Sequence, residues 1–306
     1  MHAEPIVFPN RPIRLIVPGP PAGATDFLGR LLASELSKSL NQSVIVENKA
    51  GAAGLIGARF VKESKPDGYT LMVGIAATHA IGPYLRAQLP YDPINDFTPI
   101  SLVALSGSFL IVSADSPIQS LHQLIQRARS EPTQLTYGTP GVGQTQHIIG
   151  LRLSQQAHID LLHVPYVGTS PSITDLLGGR VSMVIASAGG VVPLIQAKKV
   201  RVMAVSSPKR SKLLPDVATF DEQGLPSVGL ESFFAVFGPA GMDLAVRNKL
   251  SNAIAKVLAD PDVANMVTKA YAEPVGSNAS ELREFLGEQI ATYRKIINDA
   301  HLRSSE

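Results

Sequence analysis

Short β-branched runs alternate with helix-length amphipathic segments along most of the chain. That alternation predicts βαβ units and mostly parallel sheets. The first strand is Ile13-Arg14-Leu15-Ile16-Val17. A breaker run from Pro18 to Gly23 follows, then a helix capped by Thr25 or Asp26 with Phe27, Leu28, Leu31, Leu32, Leu36 and Leu40 on its apolar face. Further strands are predicted at 44–46, 71–73, 110–112, 135–137, 161–164, 183–186, 202–205 and 233–237. Between them fall helices at 54–63, 121–130, 145–156, 172–177 and 191–197. The last third differs: 243–258, 262–271 and 280–300 read as successive helices, the last one bracketed at its start by Ser280 and Glu284, with no strand after them. A tail of this kind is expected to pack on a sheet already built, the N-terminal one.

Composition removes several classes of function. The 27 Lys+Arg residues against 25 Asp+Glu leave a net charge of +2, and charged residues make up only 17% of the chain. The densest basic groups are Lys198-Lys199 with Arg201 and Lys209-Arg210 with Lys212, so no nucleic-acid partner is expected. Cysteine is absent, which excludes disulfides, zinc-thiolate sites, iron–sulfur clusters and thiol nucleophiles. The most apolar segment, 181–195, is interrupted by Ser182, Ser187, Gly189, Gly190 and Pro193, so no membrane-spanning helix is predicted. The chain carries no signal-peptide pattern at its start. With 306 residues and roughly 150 per domain, two domains are expected.

Two loops carry candidate chemistry. The run Pro18-Gly19-Pro20-Pro21-Ala22-Gly23-Ala24-Thr25-Asp26 leads from a strand end into a helix start, where backbone N–H groups and the helix dipole face an anion. An ordinary capped βα turn is the alternative reading. It is not a P-loop: the G-x-x-x-x-G-K-[ST] string is absent, and Asp26 would repel a phosphate. The second loop is Gly138-Thr139-Pro140-Gly141-Val142-Gly143-Gln144-Thr145-Gln146-His147. Here Gly141 and Gly143 permit close backbone approach, and Gln144, Thr145 and His147 bring hydrogen-bonding side chains to the first helical turn. Read as G-x-G-x-x-G it fails at His147, and a structural turn is again the alternative. The third glycine-rich passage, 48–57, reads as tight helix-on-sheet packing.

Catalytic patterns are missing. There is no G-x-S-x-G elbow, no H-E-x-x-H and no S-x-x-K set with its partner motifs, and no spacing ties a nucleophile to a base. His158 and His163, five apart, point to opposite faces of an extended segment, so neither a metal site nor a cofactor is expected. His79, His122 and His301 read as surface or satisfied core residues.

Seven co-linear strings between residues 12 and 297 resemble one family: 16–26, 46–54, Pro66-Asp67-Gly68-Tyr69-Thr70-Leu71, Tyr91-Asp92-Pro93 with 96–100, Val164-Pro165-Tyr166-Val167-Gly168, Leu177-Gly178-Gly179-Arg180-Val181, and Leu214-Pro215-Asp216-Val217-Ala218-Thr219. They resemble the substrate-binding proteins of tripartite tricarboxylate transporters, the Bug-type receptors. The resemblance implies an α/β type II periplasmic binding protein, a Venus flytrap of two α/β lobes with the ligand cleft between them. Lobe one is placed at 1–105 plus 222–306 and lobe two at 106–221. It further implies a periplasmic, monomeric receptor that captures a small carboxylate and delivers it to a tripartite-type membrane permease, with no catalytic residue. Met1-His2-Ala3-Glu4 then reads as a start from which a signal peptide has been removed.

By position, the resemblance implies a first-lobe loop of Gly23, Ala24, Thr25 and Asp26 and a second-lobe loop of Gly141, Val142, Gly143, Gln144, Thr145 and His147. Further pocket positions are Ala76, Ala77 and Thr78, then Tyr166, Gly168 and Thr169, then Ser187, each just past a strand end. Phe233 stands near where the family commonly has a tryptophan. Alanines at 76 and 77 with Phe233 and Phe234 suggest a partly apolar site, better suited to an aliphatic or aromatic dicarboxylate than to citrate. A ligand-sensing module and, more remotely, an enzyme using the same cleft are the alternatives.

Overall fold

The computed structural model describes residues 8–85, 91–212 and 214–299. Met1 to Glu4, Ala300 and His301 lie outside them. In chain order the first part runs β1 (Ile13–Val17), α1 (Ala24–Leu40), β2 (Val44–Asn48), a 3₁₀ turn (Ala52–Gly54), α2 (Leu55–Lys62), β3 (Thr70–Ile75), a π-helical turn (Ala77–Ile81), the short α3 (Gly82–Leu85) and β4 (Phe97–Ser106). The middle comprises β5 (Ser108–Ser113), α4 (Leu121–Ser130), β6 (Thr136–Thr139), α5 (Thr145–Ala157), β7 (Leu162–Pro165), α6 (Thr169–Leu177), β8 (Met183–Ser187), α7 (Ala188–Gln196) and β9 (Val200–Val205). The chain then returns through a 3₁₀ turn (Asp221–Gln223) to β10 (Ser232–Pro239), α8 (Leu244–Ala259), α9 (Pro261–Lys269), β11 (Glu273–Pro274) and α10 (Ala279–Asp299).

The strands form a six-stranded sheet in the order β11-β4-β10-β3-β1-β2 and a five-stranded sheet in the order β7-β6-β8-β5-β9. Within the first, β1, β2 and β3 run parallel; within the second, β6, β7 and β8 do. All other pairings are antiparallel, through β4, β10 and β11 in one sheet and β5 and β9 in the other. The expectation of mostly parallel sheets therefore holds only for the βα units. Strands at which the chain enters or leaves a sheet need no crossover helix and run the other way. Strand β4, absent from the sequence reading, is a ten-residue strand whose pattern Pro99 and the polar Thr98, Ser101 and Ser106 interrupt.

Three further corrections concern the helices. The cap of α1 is Gly23, not Thr25 or Asp26, and Phe27 lies off the buried stripe, 47% exposed. The last helix starts not at Ser280 with Glu284 but in a capping box whose cap lies two residues earlier: Asn278 Oδ1 accepts from the Ser280 and Glu281 amides, and Glu281 accepts from the Asn278 amide. The two-residue β11 also breaks the helical tail.

Helices α1, α8 and α9 cover one face of the first sheet, packing Leu28, Leu32, Leu36, Leu250 and Ile254 on Leu15, Val17 and Val73. The opposite face carries α2 and α10, and this core continues into the second sheet through Leu110, Ile148 and Ile185. Strand β10 splits between the two by simple alternation: Phe234 and Val236 face one core, Phe233, Ala235 and Phe237 the other. The chain crosses between sheets at Gly107, with the returning Ser206 beside it. The Ser108 amide donates to Ser206 Oγ at 2.7 Å, the Ser206 amide donates to the Ser108 carbonyl at 2.9 Å, and Ser206 Oγ donates to the Leu230 carbonyl at 2.7 Å. Among the described residues no helix is long and apolar enough to cross a membrane.

Candidate ligand-binding site

Parallel neighbours end at the same edge of a sheet, so the loops after β1, β2 and β3 lie side by side, as do those after β6, β7 and β8. Contacts bear this out. In the first sheet a Cβ at Gly54 would stand 2.7 Å from Thr78 Cγ2 and 3.1 Å from Pro18 Cβ. In the second, the Gly168 amide donates to the Pro140 carbonyl at 3.1 Å, and a Cβ at Gly190 would meet Thr169 Cγ2 at 2.8 Å. The two edges approach each other where a Cβ at Gly143 would stand 3.0 Å from Leu85 Cδ1.

The helices that open these edges share a property. Helices α1, α5, α6 and α7, each following a parallel strand, start at Gly23, Gln144, Gly168 and Ser187 with no side-chain cap. Helices α4, α8, α9 and α10 are capped by Ser120, Asp243, Asp260 and Asn278. A helix start exposes up to four amides without intrahelical partners. Where a side-chain oxygen is withheld, those amides and the positive end of the helix dipole are left for an outside acceptor.

On the first edge, Gly23, Ala24 and Thr25 form the start of α1 and are half-buried. Asp26 faces inward instead. Its carboxylate accepts from the Ala22 amide (3.0 Å), Arg30 Nε (2.9 Å) and Asn48 Nδ2 (2.8 Å). Burial alone would raise this carboxyl, but those donors and the Arg30 charge outweigh it and hold it below the usual carboxylate range. Its role is thus to brace the loop and tie it to β2. Ala76, Ala77 and Thr78 are buried, and the Thr78 hydroxyl is consumed locally by the Ile75 carbonyl and His79 Nδ1. The glycine-rich passage 48–57 packs on Pro18 and Thr78 rather than standing free.

On the second edge, Gly141 and Gln144 are half-buried and Val142 is 57% exposed, while Gly143, Thr145 and His147 are buried. Burial pushes the His147 ring down to about 4, with His163 adding to the effect, so it is neutral at physiological pH. Tyr166 turns its hydroxyl away to Asp175 at 2.8 Å. Ser187 starts α7 with its side chain making no cap. Phe233 departs from expectation: it is fully buried and edge-on to Phe285 of α10, at 5.4 Å, because its alternation on β10 points it into the core. The sequence reading did not assign His163, Leu85, Asn48 or Tyr293 to the site, though all four touch the edge loops. A cavity of about 240 Å³ lined in part by Thr98, Met242, Leu244, Arg247 and Arg283 shares no residue with either edge.

The chain matches the tripartite tricarboxylate transporter family receptors over residues 28–302. It belongs to that family. A UPF0065 protein from the tcbD-tcbE intergenic region of Pseudomonas sp. strain P51 is 34% identical over 300 residues, spanning 98% of this chain and 89% of that protein. Among solved structures, R. palustris Rpa4515 with adipate superposes with a TM-score of 0.91 at 31% identity, covering 96% of this chain and 98% of that one. MatC (Rpa3494) from Rhodopseudomonas palustris with bound malate gives 0.87 at 29% identity, with coverages of 95% and 100%. The receptor's two sheets with their helices are the two lobes of the periplasmic binding protein fold, a Venus flytrap. The bare helix starts therefore lie on the strand edges where an open α/β sheet takes its ligand.

Proposed function

We propose that this receptor captures a linear aliphatic dicarboxylate in the periplasm, one carboxylate on each lobe, and hands it to a membrane permease of the tripartite type without transforming it. The observation that carries this reading is the division of helix starts: those on the parallel-strand edges are bare, those elsewhere are capped. Amides of Ala24 and Thr25 beside Gly23 take one carboxylate, and those around Gly141, Val142, Gln144 and Thr145 take the other, with Gly168, Thr169 and Ser187 as the adjoining wall. Asp26 and Thr78 brace these loops from behind. Pro18, Ala76, Ala77 and Val142 leave the middle of the site apolar, which suits methylene groups better than the hydroxyl and third carboxylate of citrate. Rpa4515 with adipate and MatC with malate support the ligand class. We read lobe one as 1–105 plus 222–306 and lobe two as 106–221.

The test is a thermal-shift and calorimetric panel of succinate, adipate, malate, citrate and aromatic diacids. Adipate at 100 times its Kd is expected to stabilise by about 2.7 kcal/mol, and to exceed citrate. If no carboxylate of the panel raises the midpoint, the reading fails; if citrate binds tightest, the ligand class is wrong.

A further inference from the structure

One side chain that no motif singled out for ligand binding, His163, joins a stack of rings behind the β6–α5 loop. Tyr137 of β6 and His163 of β7 are register partners on neighbouring parallel strands, so their side chains leave the same face. Their rings lie 4.8 Å apart at 28°. His147, in the first turn of α5, stacks on the same His163 ring at 4.2 Å and 21°. Thr139, two residues along β6 from Tyr137 and so on the same face, places Oγ1 2.7 Å from His163 Nε2. The floor is rigid: Tyr137 is 1% exposed and presses on Gly150 of α5, where any Cβ would run into its ring.

A backbone contact fixes the proton on His147. The Gly143 amide donates to His147 Nδ1 at 3.3 Å, so that nitrogen is the acceptor and the neutral ring carries its hydrogen on Nε2. Nε2 makes no hydrogen bond among the described residues. Among the described residues the unpartnered side-chain atoms sealed from solvent are His79 Nε2 and Tyr137 Oη, so His147 Nε2 keeps some exposure, on a ring in the same first turn as the uncapped amides of Thr145 and Gln146. His147 stands third in the helix, where a capping box places a carboxylate that accepts from an amide at the helix start. The imidazole accepts from the neighbouring Gly143 amide without bringing negative charge to an anion site.

We propose that His163 is a positioning residue of the binding loop: held by Tyr137 and Thr139, it sets the ring of His147 so that Nδ1 secures Gly143 and Nε2–H is offered to a ligand carboxylate oxygen. This rests on the dicarboxylate reading above. Two measurements keep the two ideas separable. Long-range ¹H–¹⁵N spectra of the ligand-free receptor report the His147 tautomer whatever the ligand is; calorimetry with adipate and malate reports binding.

The wild-type protein is expected to show His147 in the Nε2–H form alone. In His163→Ala the two tautomers should mix and affinity for the dicarboxylate fall at least tenfold. His163→Phe, which keeps a flat ring against His147, should recover the single tautomer and most of the affinity, a recovery that loss of general stability would not produce; it also serves if the alanine variant does not fold. Two tautomers in the wild type overturn the proposal, as does a His163→Ala protein with unchanged tautomer and unchanged Kd. If the wild type binds neither acid, the functional reading fails and the tautomers alone judge the role of His163.

Discussion

The hydroxyls of Thr145 in α5, which packs on the second sheet, and Tyr293 in α10, which packs on the first, lie 3.4 Å apart. Tyr293 is fully buried, and burial raises its hydroxyl to about 12, so it keeps its proton over the whole working range. Tyr293→Phe is expected to cost about 1 kcal/mol, seen as a Tm lower by roughly 2 °C. Thr145→Val should cost a similar amount. The double variant should lose little beyond either single one, since both remove the same contact; additive losses would show that the hydroxyls do not interact.

Asp26→Ala removes the acceptor for the Ala22 amide, Arg30 and Asn48 at once. A loss of about 1–3 kcal/mol at pH 7 is expected in urea unfolding. Because the folded carboxyl titrates below its unfolded value, its contribution is complete above the unfolded value of about 4 and disappears as pH falls through the folded one. Wild-type and variant stabilities should therefore converge on acidification below about pH 4. A gap that persists there would place the effect in packing rather than charge.

Gly54 and Gly179 both have positive φ, +94° and +70°, but only Gly54 is crowded, by Thr78 and Pro18. Alanine at 179 should cost about 1 kcal/mol from the backbone alone. Alanine at 54 should cost more and also weaken dicarboxylate binding, because Thr78 and Pro18 must move. Equal losses at the two positions, with binding untouched, would remove Gly54 from the support of the site.

Burial drives His79 down to about 3 and His147 and His163 to about 4. Imidazoles kept neutral in the fold but free to protonate when unfolded stabilise fully above about pH 6.5, and lose that contribution as pH falls toward the folded values. For His147 the loss between pH 7 and pH 5 is on the order of 2 kcal/mol, and it is smaller for the more exposed His163. Replacing both by Gln should make the Tm profile shallower over that interval, leaving the share of His79. A wild-type Tm unchanged from pH 7 to pH 5 would contradict the burial described.

The βα units were legible because their signal is local. Strand β1 and helix α4 fall on the predicted residues, as apolar runs and amphipathic spacing are properties of a single element. Strand β4 was not, since a strand buried on both faces can carry prolines and serines wherever its partners satisfy them; the Leu102 amide, for instance, donates to Ser277 Oγ at 2.9 Å. The cap of α1 was misplaced for a related reason. Asp26 has the chemistry of a cap, but its carboxylate is drawn back to Ala22 and Asn48. His163 was weighed only as a metal ligand with His158, because its actual partner, His147, is set by strand register and helix docking, not by spacing along the chain. The alternation on β10 that buries Phe233 becomes visible only once the strand has a core on each side.

The paired serines beside Gly107 tie the two passages between the sheets to each other. Both passages between the lobes are stitched within a few residues, Ser106 to Ser108 on the way out and Ser206 to Leu230 on the way back. The two bonds between Ser108 and Ser206 prolong the antiparallel β5–β9 pairing by one rung, so the outgoing and returning chains leave the second sheet side by side. The outgoing and returning chains are thereby locked in register where they leave one sheet for the other.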